Sequence, residues 1–136
     1  MSTFIGEAVV LKFGEGALGP EHFRSVRKGD IVLLYSPGSR CHITPEGGKH
    51  LLDTGIRMLG VQGVLPDDPR AYEIGSGIEP ETHKYLLGND IPILENLTNL
   101  DKIAGERVFF VGLPLKIHRL DSSWVRAVAF DPAPPA

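Results

Sequence analysis

The sequence predicts one α/β domain over its 136 residues. Three observations favour this class: apolar strand-like runs alternate with short helical segments, glycine and proline fall between those segments, and one run is apolar almost throughout. That run, GDIVLLY at 29–35, is typical of a strand covered on both faces. The order of the segments therefore predicts a sheet with helices packed against it.

The first half of the chain supplies three strands and two helices. The segment GPEHFRSV predicts a short helix with Pro20 in its first turn. Thr44 predicts the N-cap of a second helix, with Pro45 at its first position and Gly55 after its end. The predicted strands are EAVVLKF at 7–13, GDIVLLY at 29–35 and RMLGVQGVL at 57–65.

The second half begins with a long loop at 66–81, and long loops in compact domains are often functional. HKYLLGNDIPILENLTNL at 83–100 then predicts a short helix followed by a short strand. RVFFVGLPL at 107–115 and WVRAVAF at 124–130 predict a strand pair. We expect residues 1–136 to form a single domain in which 130–136 is an extended Pro-rich tail.

Composition narrows the possible functions. The formal charge is −3 and no basic patch is present, so no nucleic-acid partner is expected. No apolar run approaches the roughly 20 residues of a spanning helix, and no secretory signal precedes the first strand, so we expect a cytoplasmic protein without a membrane partner. The single cysteine, Cys41, excludes a CxxC motif.

His83 and Glu95 form the candidate site. His83 shares a helix face with Leu86 and Leu87, and Glu95 follows Ile91 and Ile93 at strand spacing, so both polar groups should point where apolar side chains point. In a structural role His83 caps the helix and Glu95 pairs with backbone N–H groups or an arginine. In a functional role the two hold zinc, manganese or iron.

Other catalytic patterns are absent from the sequence. The remaining histidines form no HxH or HExxH pair, and there is neither a GxSxG elbow nor a GxxxxGK[ST] loop. Further candidates for a third metal ligand are Asp67, Asp68 and His118.

A resemblance adds to this pattern. The segments GDIVLLY, DTGIRMLGVQGV, HKYLLGNDIPILENLTNLDKIAG, FVGLPLKI and SSWVRAVAF resemble, in this order, the cyclase family of metal-dependent hydrolases, which includes bacterial kynurenine formamidase and isatin hydrolase. The resemblance implies that His83 and Glu95 are metal ligands. It also implies a swivelling β/β/α cyclase-like domain with a mixed, barrel-like sheet, a divalent zinc or manganese cofactor, and a homo-oligomer.

The sequence departs from the family at three places. The N-terminal HxGTHxDxPxH motif, which supplies the remaining ligands and a catalytic histidine in the family, does not occur in these 136 residues. Gln62 stands where the family usually has Asp, and Trp124 where it usually has Pro. We therefore expect an N-terminally shortened member of the fold.

Two functions follow from the resemblance and the departure. The first is a metal-dependent hydrolase of arylformamidase type, acting on a small-molecule amide such as an N-formyl or cyclic amide. The alternative is a non-catalytic binding or interaction protein that keeps the fold. A metal at His83 and Glu95 with a third ligand would favour the first, whereas Glu95 paired with Arg or Lys would favour the second.

Overall fold

The computed structural model describes residues 3–38 and 40–131. Its strands are β1 (Ile5–Lys12), β2 (Gly16–Leu18), β3 (Ile31–Tyr35), β4 (Cys41–Ile43), β5 (Met58–Gln62), β6 (Val64–Leu65), β7 (Ile93–Leu94), β8 (Arg107–Pro114) and β9 (Val125–Phe130). Its α-helices are α1 (Pro45–Thr54) and α2 (Glu81–Leu87), and short 3₁₀ turns span Pro20–Phe23, Pro69–Tyr72 and Leu100–Lys102.

A mixed six-stranded sheet in the order β7-β5-β3-β1-β8-β9 forms the centre of the domain. The four strands from β7 to β1 are parallel, whereas β8 and β9 are antiparallel additions. A second, three-stranded parallel sheet has the order β2-β4-β6. The parallel pairs need crossover connections, and α1 and α2 supply two of them.

Helix α1 begins and ends where the sequence predicts. The Thr44 hydroxyl accepts a hydrogen bond from the Gly47 N–H at 3.1 Å. Gly55 ends the helix in the left-handed region, with φ of 79°. Inside the helix, Gly48 is required by a close approach, because a Cβ there would lie 2.4 Å from the Thr82 hydroxyl oxygen of α2.

The two helices cover one face of the sheet. Leu51 of α1 and Leu86 of α2 pack against alternate side chains of β1, β3 and β5. The other face is covered by the chain after β7, whose Leu97, Leu100 and Ile103 form part of a second apolar cluster. The parallel strands are therefore buried on both faces, as the apolar run of β3 predicts.

An ion pair ties the antiparallel part of the sheet to the parallel part. Asp30, buried just before β3, accepts a hydrogen bond from the Arg107 guanidinium of β8 at 2.5 Å. Asp30 also accepts the Arg27 N–H at 2.8 Å. A buried carboxylate with several donors is satisfied structurally, so we assign this pair to stability.

The predicted α/β class is confirmed, and so are α1, α2 and the strands that correspond to β1, β3, β8 and β9. The single strand predicted at 57–65 is divided at Gly63, whose φ is 68°, into β5 and β6, which lie in different sheets. The predicted helix at 19–26 is wrong in type and length, because it is a single 3₁₀ turn. The small sheet was not predicted, since two- and three-residue strands carry almost no periodicity. Of the predicted tail, Phe130 ends β9 and Asp131 accepts the Ala104 N–H, while 132–136 lie outside the described residues.

No helix within the described ranges has both the length and the apolar character needed to cross a membrane.

One sheet face is partly uncovered. On the β8–β9 pair, Phe109 and Phe130 lie opposite each other with ring centroids 6.2 Å apart, and both are about half exposed. Val128 and Leu113 are exposed as well. Apolar patches of this kind often mark an interface.

A methyl group added at Gly48 tests whether α1 and α2 lie as close together as the structure shows. Gly48→Ala should gain helix propensity of about 1 kcal/mol but lose about 1–3 kcal/mol to overpacking against Thr82. We expect net destabilisation in urea unfolding. In a double-mutant cycle with Thr82→Ala, part of the loss should be recovered, because the closest atom is then absent. A stabilised Gly48→Ala protein would contradict the close approach.

The homo-oligomer stays a prediction, and the β8–β9 face is where we expect it to form. Light scattering of the wild-type chain should give at least twice the mass of one chain. Phe109→Glu combined with Phe130→Glu should give the monomer, because charged side chains oppose burial of that face. The control is Ile74→Glu at a fully exposed apolar residue of the 66–81 loop. A monomeric wild type at high concentration would contradict the prediction.

Candidate functional site

His83 lies in the first turn of α2 with its ring half-buried. Its Nδ1 atom makes a short contact with the Oδ2 atom of Asp67. Leu86, three residues on, is fully buried, whereas Leu87 is half exposed. The helix thus turns Leu86 into the core and presents His83 at the core's margin.

Asp67 is the buried partner that holds His83. Its side chain is 3% exposed. The Oδ1 atom accepts the Thr82 N–H at 2.6 Å, and the Oδ2 atom contacts His83 and lies 3.5 Å from the Tyr72 hydroxyl. Thr82 and His83 are consecutive residues in the first turn of α2, so one carboxylate ties the 66–81 loop to the start of that helix.

These contacts set the electrostatics of the imidazole. The pKa of His83 is raised, chiefly by the hydrogen bond to Asp67 and further by the charges of Asp67 and Glu95, while burial opposes the rise. An ionised carboxylate accepts hydrogen bonds but cannot donate one, so a ring proton on Nδ1 is the one that Asp67 can accept. The Nε2 lone pair is then left for another partner, as in metal-bound histidines.

Tyr72 packs against the imidazole from the same loop. Its ring meets the His83 ring edge to face, with centroids 6.5 Å apart. Burial, with the charges of Asp67 and Glu95, raises the pKa of Tyr72 to about 12. The phenol therefore stays protonated near neutral pH and can donate a hydrogen bond.

Glu95 follows β7 directly, on the same side of the chain as Ile93. It lies on the predicted side of the chain, but its side chain is exposed, and Leu94 is the inward residue there. The physical reason is that β7 is only two residues long and the chain turns at Asn96, whose φ is 57°. The Glu95 charge still acts on both His83 and Tyr72.

Both predicted residues line one cleft of about 470 Å³. Its other walls come from the residue before β1, from α2 and β7, from the end of β8 and from the loop that leads to β9, and they are largely apolar. These walls include Phe4, Leu87, Ile93, Leu115, Ile117 and Leu120. The cleft therefore combines a polar corner at His83 and Glu95, and further polar side chains at Asp121, Ser122 and Ser123, with an apolar surface, which suits a small organic molecule.

The structure brings together some of the predicted ligands and not others. Asp67 meets His83, Asp68 instead pairs with Arg70 at the surface, and His118 is exposed on the loop before β9. Within residues 3–38 and 40–131, no group of three or more His, Cys, Asp or Glu side chains is arranged to hold a metal ion. The Glu95 carboxylate lines the same cleft as His83 and has no Arg or Lys ion-pair partner in that part of the chain.

Two residues that contribute to the site, Tyr72 and Gln62, were not predicted from the sequence. Tyr72 was not singled out, although its place in a long loop just before a helix with a histidine was a usable signal. Gln62, noted only as a departure from the family, accepts the Leu100 N–H at 2.7 Å and so anchors the chain just after Glu95. No local pattern predicts that contact, because the two residues are far apart in sequence.

The His83–Asp67 contact should make stability depend on pH. The folded-state pKa of His83 is raised above its ordinary value of 6.5, so the contribution is fully present below about 6.5 and is lost as the pH rises through the folded-state value. In chelator-treated protein, His83→Gln should lower the free energy of unfolding more at acidic than at alkaline pH. Urea titrations across this range measure it.

The control for this pH series is His118→Gln, at an exposed histidine whose substitution should have a small effect at every pH. A cost of His83→Gln that is the same at both ends of the range would show that the ring makes no charge-dependent contact with Asp67.

Two hydrolases are similar to this chain in sequence. The chain is 30% identical to kynurenine formamidase of Delftia acidovorans over 84 residues, covering 62% of this chain and 37% of that protein. It is 33% identical to isatin hydrolase of Roseibium aggregatum over 100 residues, covering 72% of this chain and 35% of that protein. The chain thus spans little more than a third of the length of these two relatives. No family model matches it.

Solved structures share the fold. Isatin hydrolase A of Ralstonia solanacearum superposes with a TM-score of 0.79 at 20% identity, over 93% of this chain and 60% of that one. A structure described as a potential metal-dependent hydrolase with cyclase activity has a TM-score of 0.73 at 23% identity, over 97% of this chain and 68% of that one. The predicted cyclase-like domain with a mixed, barrel-like sheet is confirmed. The chain is therefore similar in sequence to kynurenine formamidase and isatin hydrolase, and it shares its fold with these solved structures.

Proposed function

We propose that this chain supplies His83 and Glu95 as ligands of a divalent metal ion, zinc or manganese, in a hydrolase that cleaves an amide bond. The single observation that carries the proposal is the Asp67–His83 contact beside Glu95 at the polar corner of the cleft. A histidine held through one nitrogen by a buried carboxylate is the usual arrangement of a metal ligand. The relatives named kynurenine formamidase and isatin hydrolase support amide chemistry.

Each residue has a distinct task in this proposal. His83 Nε2 and the Glu95 carboxylate would hold the ion, while Asp67 keeps the imidazole oriented. When bound, such an ion lowers the pKa of water and polarises a carbonyl group. The apolar walls of the cleft would bind the nonpolar part of the substrate and keep bulk water away from its amide.

The proposal requires more ligands than these two. A catalytic zinc ordinarily keeps three protein ligands and one open position. At least one further ligand must therefore come from outside the described residues, either from the same polypeptide or from another chain. The substrate we propose is a small N-formyl or cyclic amide, because the similar proteins are named kynurenine formamidase and isatin hydrolase and the cleft offers room for a small molecule.

Metal content is the test of the ligand pair. Elemental analysis of protein purified without chelator should find zinc or manganese in the wild type, and the combination of His83→Ala with Glu95→Ala should lower it at least about tenfold, since both proposed ligands are lost. The control combines His118→Ala with Glu73→Ala, which removes the same two residue types at exposed positions. Equal metal in all three proteins would refute the assignment.

Activity is tested separately. An N-formyl aryl amide and a cyclic amide are offered to the metal-loaded wild type, with release of formate or ring opening as the readout. We expect turnover only in preparations that hold metal, and none in the variant that combines His83→Ala with Glu95→Ala. Turnover that survives loss of both side chains would place the reaction elsewhere in the chain.

A further inference from the structure

We propose that Asp67 is a positioning residue that fixes His83 in one tautomer, with the imidazole proton on Nδ1 and the lone pair on Nε2. The inference deepens the proposed function, because a lone pair on Nε2 is what a metal or substrate proton would meet in the cleft. The tautomer itself is a property of the metal-free chain and can be measured without any ligand.

The carboxylate of Asp67 has no freedom to turn away. Its side chain is 3% exposed, and its two oxygens face different donors. Oδ1 accepts the backbone N–H of Thr82 at 2.6 Å, whereas Oδ2 faces Nδ1 of His83. Since a backbone N–H is always a donor, the first contact fixes the second in place.

The position of the Thr82 N–H, which donates to Asp67, is fixed by packing. Thr82 is fully buried against Gly48 of α1, where an added Cβ would lie 3.1 Å from the Thr82 Cα atom. The start of α2 therefore cannot shift toward α1. Tyr72 closes the other side of the imidazole, with its hydroxyl also directed at Asp67 Oδ2. The ring is thus held between a carboxylate and an aromatic edge.

Asp67→Asn tests the proposal because the hydrogen bonds around residue 67 allow the new amide group only one orientation. The amide oxygen must take the place of Oδ1, because only an acceptor can face the Thr82 N–H. The amide NH₂ then faces His83, so Nδ1 must become the acceptor and the imidazole proton must move to Nε2. We expect the neutral tautomer to invert. The matched control is Asp68→Asn, the neighbouring carboxylate, which pairs with Arg70 at the surface.

The measurement is long-range proton–nitrogen NMR of the histidine ring, on the chelator-treated chain of 136 residues at alkaline pH where His83 is neutral. His83→Gln identifies the signal. Wild type and Asp68→Asn should show the proton on Nδ1, and Asp67→Asn should show it on Nε2. A wild type with its proton on Nε2, or an unchanged tautomer in Asp67→Asn, would overturn the inference. The wild-type spectrum alone decides if Asp67→Asn does not fold.

Metal binding separates this inference from the proposed function. Zinc titration should show affinity lowered about 10–100-fold in Asp67→Asn and unchanged in Asp68→Asn. If the tautomer inverts while neither wild type nor variant binds zinc, the positioning role of Asp67 stands and the metal proposal fails. If zinc binds equally to wild type and Asp67→Asn with the same tautomer in both, the positioning role fails and the metal proposal stands.

Discussion

The need to cover a parallel sheet on both faces governs this molecule. The strands β1, β3, β5 and β7 bury apolar side chains in both directions, so neither face can be left to water. Helices α1 and α2 cover one face, and the chain after β7 covers the other. Both candidate ligands lie where these covering elements attach to the sheet, His83 at the start of α2 and Glu95 at the end of β7.

Covering the second face makes the chain cross from one side of the sheet to the other. The crossing occurs immediately after Glu95, where Asn96 adopts a left-handed conformation that asparagine tolerates better than most residues. The Leu97 N–H then binds the Val61 carbonyl at 3.0 Å, and Leu97 packs over Gly60, which has no side chain to obstruct it. Glu95 is exposed for this reason: it is the last residue before the crossing.

Much of the fold was predictable because its main elements carry local signals. The cap of α1 needs only Thr44 and Gly55, and the buried strand β3 needs only an unbroken apolar run. The short strands β2 and β4 were not predictable, since three residues contain no measurable period, and β6 was included in the single strand predicted at 57–65. The 3₁₀ turn at Pro20–Phe23 was read as a longer helix because proline favours the start of either.

The sequence by itself determined the α/β class, the positions of α1 and α2, and His83 and Glu95 as the candidate ligands. Only the tertiary structure decided that Asp67, one of several loop carboxylates, is the buried partner of His83, and that Tyr72 closes over the same ring. Such contacts join a loop to a helix more than ten residues away. They depend on how closely α2 packs against α1 at Gly48, and no local sequence pattern encodes that distance.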